Sequence, residues 1–204
     1  MNTTTTYLIT ENISFITETI KFLAGVLAPL LAGYIGVRYG LKQIKVQKRI
    51  DLIENQLNNF YSPLLGLSKE IRAKSELRLK IKQLGDKAWA EKCEQFRMGP
   101  NQPDITPYTN EIEYNNEQLR IDFLPKYNKM LDIFRNNYWL SELETRDFYP
   151  QLVEFVEIWN RNFNKGLPPD VAKKINHSEE KLKIFYDELE LRTNKLRKEL
   201  LKIN

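Results

Sequence analysis

A chain of 204 residues with 28% charged and 42% hydrophobic residues and a formal net charge of +4 has the balance of a folded protein, not of a disordered or fibrous one. A single cysteine, Cys93, excludes an intrachain disulfide framework and a thiolate zinc cluster. A single histidine, His177, removes the usual general base from almost the whole chain, and its place just before a helix start predicts a solvated residue.

In chain order, the first informative segment is FLAGVLAPLLAGYIGV, residues 22–37, which carries no charge and is closed by Lys21 and Arg38. Sixteen helical residues cover about 24 Å against a hydrocarbon core of about 30 Å, and Ile13, Phe15, Ile16 and Ile20 supply the missing length upstream. A transmembrane helix over residues 13–40 is the expectation. A cleaved signal peptide is not, because Glu11 and Glu18 precede the apolar run and no basic residue does before Lys21. Arg38, Lys42, Lys45, Lys48 and Arg49 follow it without an acid among them, which predicts a cytoplasmic body and an outward-facing tail over residues 1–12.

Within the span Ala24, Ala28, Ala32, Gly36 and Gly40 recur every four positions beside a second row of Gly25, Pro29 and Gly33. Small residues at that spacing let helix backbones approach in lipid, so the face predicts self-association; an anchor merely rich in alanine and glycine is the alternative. Glu18 and Lys21 fall on the stripe that continues through Gly25, Pro29, Ala32 and Gly36, either lining a pore at an oligomer axis or pairing at headgroup depth.

Residues 41–84 follow as a juxtamembrane helix. Val46, Ile50, Ile53, Leu57, Phe60, Leu64, Leu67 and Ile71 alternate steps of four and three, the signature of a coiled-coil or bundle seam. Ser62 and Pro63 predict a kink or a fresh start with Ser62 as cap. Arg72, Lys74, Arg78, Lys80 and Lys82 make the densest basic stretch, a solvated face or a surface for phosphates, and Trp89, on a further helix over residues 86–98, is placed to stack a base or to pack in the core.

Gly99, Pro100, Pro103 and Pro107 put a loop inside residues 85–109, the clearest break before a helical body over residues 110–204. Helices are readable over residues 110–122, and over 126–140 with Tyr127, Met130, Leu131 and Phe134 as the buried face. Ser141 and Glu144 have capping-box spacing. Residues 148–163, with Leu152, Phe155, Val156 and Trp159 on one face, end before Gly166; residues 178–201 carry a seam of Leu182, Phe185, Leu189, Leu196 and Leu200 interrupted at Arg192. No run alternates with period two, so the fold class is all-α: one N-terminal transmembrane helix continuing into a coiled-coil-like helix and a cytoplasmic helical bundle. No phosphate loop, nucleophile elbow or metal motif is legible, and neither a cofactor nor catalysis is expected.

An apolar span feeding a seam helix, followed by LNNFYSPLLGLSKEIRAKSELRLKI, resembles the small single-span membrane effectors of bacterial anti-phage defence, most nearly the Hailong effectors. The likeness covers about the first 85 residues and lies in their organisation. It implies an inner-membrane ion channel, tetrameric, held closed by a single-stranded DNA oligomer or nucleotide signal that a partner nucleotidyltransferase makes, and arresting growth when the signal is lost. As the alternative, the residues also allow a membrane-tethered scaffold that recruits a partner protein through the seam.

Overall fold

The computed structural model describes residues 3–97, 104–175 and 177–203; the side chains before Glu18, and those of Thr19, Ile20, Ala24 and Val26, lie outside that description. Among the described residues the regular structure is helical throughout: α1 (Thr3–Gln56), α2 (Ser62–Arg97), α3 (Thr106–Gln118), α4 (Leu124–Asn136), α5 (Leu143–Arg146), α6 (Tyr149–Phe163), α7 (Pro169–Lys174) and α8 (Lys183–Ile203). The chain divides into two compact units, Met1–Asp51 and Leu52–Asn204.

The first unit contains the helix that is long and apolar enough to cross a membrane, with an 18-residue window of mean hydropathy 1.5, none of it buried. Phe22, Leu30 and Val37 are 64–72% exposed, and a Cβ built on Gly25, Gly33, Gly36 or Gly40 would meet nothing within 4 Å. Glu18, Lys21, Ala28, Pro29 and Ala32 are exposed as well. Between Lys21 and Arg38 that exposed surface carries no charge, in keeping with a helix long and apolar enough to cross a membrane.

In the second unit the seam becomes a core. Ile53, Phe60, Leu64 and Ile71 are fully buried against Met130 and Phe134 of α4 and Phe185 and Leu189 of α8. Aromatic rings lock this centre edge to face, with centroids 4.9 Å apart for Phe60 and Tyr61 and 5.0 Å for Phe60 and Phe134. The expected stripe therefore faces its own chain from Ile53 onward, whereas Val46 is 40% exposed.

Prolines are handled differently from the expectation. Pro63 does not open a capped helix: a π turn at Leu57–Tyr61 precedes it, Ser62 keeps helical angles, and its N–H reaches back to the Leu57 carbonyl. The same device recurs at Leu119–Phe123, where the Leu124 N–H reaches the Leu119 carbonyl ahead of Pro125. In both, the wide turn ends two residues before the proline. A proline ring clashes with the carbonyl four residues back and supplies no donor, so widening the turn upstream opens that carbonyl away from the ring and the helix continues.

Two further expectations change, and the helix end expected before Gly166 is found. Gly85 does not separate two helices, since α2 runs through it; a Cβ there would stand 3.0 Å from Glu111 Oε2, so the glycine makes room for α3. No capping box forms at Ser141 and Glu144, because the Ser141 hydroxyl turns back to donate to the Tyr138 carbonyl at 2.5 Å and α5 has no side-chain cap. The helix ending near Gly166 closes with Lys165 at φ 55°, and with the Gly166 and Lys165 N–H groups bonded to the Arg161 and Asn162 carbonyls, a Schellman closure whose left-handed residue is a lysine.

A polar network crosses the bundle beside the first π turn. Gln56 Nε2 donates to the Leu140 carbonyl at 2.8 Å, the Glu142 N–H donates to the Tyr61 hydroxyl at 2.9 Å, and that hydroxyl shares a bond with Thr145 Oγ1 at 3.1 Å. Burial raises the pKa of Tyr61, which keeps the phenol neutral. Arg192, the break in the α8 seam, is a nearly covered cation whose Nε donates to Glu188 at 2.6 Å and whose Nη2 lies 3.2 Å from Glu144.

Candidate anion-binding cleft

The distal part of α2 and α3 lie antiparallel. Gly85 meets Glu111, the Trp89 and Tyr108 rings approach edge to face at 4.9 Å, and the Lys92 ammonium sits 5.8 Å from the Tyr108 ring centre. The start of α3 is set locally: Pro107 occupies its first turn, and the Asp104 carboxylate accepts the Thr106 N–H at 2.9 Å, the Thr106 hydroxyl and then this N–H lowering its pKa.

Between these helices runs a cleft of about 590 Å³. Arg78 and Lys82 enter it from α2, and Tyr108, Asn115 and Asn116 from α3; Leu79 and Ile112 form apolar walls, and Glu111 and Asp86 stand in the lining. Ser75 also borders it, but its hydroxyl donates to Glu179 at 2.6 Å. Two cations, two amides and a phenol around an open cavity suit a phosphate-bearing ligand, with the carboxylates disfavouring a bare polyanion near Gly85.

The six residues predicted as one ligand site are separated by the fold. Arg78 and Lys82 reach the cleft, the former with its guanidinium 5.5 Å from the Phe123 ring centre. Arg72 pairs with Asp187 at 3.6 Å, and Lys74 bridges Asp122 at 2.8 Å and Glu70 at 3.1 Å, so neither is an open phosphate contact. The Asp122 carboxylate, which also pairs with Lys126, is the first cause raising the Lys74 pKa; Lys126 and then Lys74 lower that of Asp122. Lys80 is exposed outside the cleft, and Trp89 is half-buried against Tyr108. Five cations spread over eleven helical residues, 72–82, point in several directions, which a count along the sequence does not register. Tyr108, Asn115 and Asn116 escaped the sequence reading; the steps of seven and eight between them are the signal that they share a helix face.

His177 departs from its expectation too. Its ring lies 4.3 Å from that of Phe155 and 5.2 Å from that of Trp159, Nε2 is buried without a hydrogen-bond partner, and burial followed by nearby Lys181 lowers its pKa. Among the described residues no group of three His, Cys, Asp or Glu side chains is arranged to hold a metal ion, and Cys93 is exposed. The chain matches no protein-family model, no curated protein and no solved structure.

Proposed function

We propose that the chain is a homo-oligomeric effector of the bacterial cell membrane, anchored by residues 13–40 with its body in the cytoplasm. The α2 and α3 cleft of that body senses a phosphate-bearing signal, a nucleotide or a single-stranded DNA oligomer. The observation that carries this reading is the pairing of an uncovered apolar helix with a separate folded unit that owns a cation-and-amide cleft. Following the resemblance, the assembled spans form an ion channel of anti-phage defence, held closed while the signal made by a partner nucleotidyltransferase is bound. Burial of Ile53, Leu64 and Ile71 within one chain removes most of the surface that recruitment through the seam would need, so the scaffold reading gains no support.

Purification in mild detergent, with mass and the ratio of ultraviolet absorbance at 260 and 280 nm recorded together, tests the assembly and the ligand; ion flux from liposomes tests the channel. Arg78→Ala and Lys82→Ala are expected each to weaken oligonucleotide binding and to reduce the slope of log affinity against log salt by about one, while Lys74→Ala leaves that slope unchanged. A monomer free of nucleic acid and without ion flux would overturn the proposal.

A further inference from the structure

The cations that follow the apolar run are not spread around α1. Arg38, Lys42 and Lys45 stand at steps of four and three, which sets them within about 60° of one another on the helix, and all three are exposed. The same stripe runs back through Leu27, Leu31 and Tyr34, 52–61% exposed, and the Arg38 guanidinium sits 5.7 Å from the centre of the Tyr34 ring. The row of Gly25, Pro29, Ala32 and Gly36 lies roughly 140° away around the helix. Between Leu27 and Arg38 side-chain size therefore divides α1, and the cations continue the bulky side.

No opposite charge answers the stripe along the helix. No acid lies between Glu18 and Asp51, and Asp51 stands on the far side, where its Oδ1 accepts a hydrogen bond from Gln47 at 2.8 Å. Depth then selects the partner. With Arg38 at the edge of the hydrocarbon, the helical rise puts Lys42 about 6 Å and Lys45 about 10 Å beyond it, against a headgroup layer of about 5–8 Å that a lysine stem can reach back into. A pore would gather its charges on the small-residue side, where residues 25–50 carry none. The bulky side is the one that meets acyl chains when small residues pack span against span, so phosphates on that side at that depth belong to the bilayer.

We propose that Tyr34, Arg38, Lys42 and Lys45 form a binding surface for the phosphates of anionic phospholipids in the cytoplasmic leaflet, on the lipid-facing side of the assembly. The inference rests on the membrane anchor and the homo-oligomer proposed above.

The full-length chain is reconstituted in phosphatidylcholine vesicles containing a trace of spin-labelled phosphatidylglycerol or spin-labelled phosphatidylcholine. The motionally restricted part of the electron paramagnetic resonance spectrum gives the relative association of the two. The anionic label is expected to be favoured on the order of fivefold at low salt and less at high salt. Lys42→Gln with Lys45→Gln should remove more than half of that preference. Adding Gln43→Lys and Ile44→Lys to the pair restores the net charge but places it on the small-residue side, and should not restore the preference. Membrane fraction and oligomer mass are recorded for every variant, and if the double change keeps the chain out of the membrane, Lys42→Gln alone is read in the same assay.

An inserted, oligomeric parent without preference for the anionic label overturns this inference alone. So does a preference that survives the double change, or one that the relocated charges restore in an oligomer of unchanged mass. Loss of oligonucleotide binding in the double variant while the lipid preference persists would make the stripe a nucleic-acid contact and overturn it as well. A parent that is monomeric or outside the membrane overturns the effector reading and this inference with it, and the mass and membrane fraction separate that outcome from the others.

Discussion

Residues 22–37 and residues 53–71 are both rich in large apolar side chains, yet their surroundings have little in common. In the first, Leu27, Leu30, Leu31 and Ile35 are 52–65% exposed; in the second, Ile53, Phe60, Leu64 and Ile71 are at 0%. The difference lies in distribution around the helix. An apolar stripe with polar flanks finds its wall within the chain, here α4 and α8, while a helix apolar on every side has no such wall to find and needs lipid or other spans. Composition alone would treat the two alike.

Substitutions can break or sharpen that contrast. The largest effect belongs to Phe60→Ala, expected to destabilise the body by about 3–5 kcal/mol because it leaves a hole among Tyr61, Phe134 and their neighbours; urea unfolding followed by circular dichroism measures it. Next is Leu31→Arg, expected to cost insertion about 2.5–3.5 kcal/mol and to move protein out of the membrane fraction, with the urea midpoint of the body unchanged. A fall in that midpoint would mean that the body covers the span. Tyr61→Phe removes the acceptor of the Glu142 N–H and the partner of Thr145 and should cost about 1–3 kcal/mol in the melt of the body alone. The smallest effect has the opposite sign: Lys165→Gly relieves a left-handed residue and should stabilise the body by about 0.5–1 kcal/mol without altering the membrane fraction.

Much of the body was legible because its helices obey simple periodicity. Tyr127, Met130, Leu131 and Phe134, and likewise Leu152, Phe155 and Val156, are buried as their three-and-four spacing predicts. Local signals failed where a distant neighbour decides. Arg192 reads as a flaw in the α8 seam until Glu144 is placed against it, and His177 reads as solvated until α6 brings up Phe155 and Trp159. The candidate site suffered most from this. Lys74 and Arg72 look like open cations in the sequence, but their counter-charges Asp122 and Asp187 arrive from 48 and 115 residues further along, and only the folded chain shows which cations of the basic stretch remain for a ligand.

The two π turns also bear on which changes in length the chain can absorb. A π turn holds one residue more than the α-helical turn it replaces, and that residue resets the angular position of everything beyond it by about 100°. At Leu119–Phe123 the surplus sets the direction in which Tyr114 points relative to Phe134. Deleting one residue there would leave an unbroken α-helix that runs into Pro125, and would swing the face of α3 by more than a quarter turn with its amino acids otherwise unchanged. A one-residue change in length should therefore be poorly tolerated at the turns that precede Pro63 and Pro125.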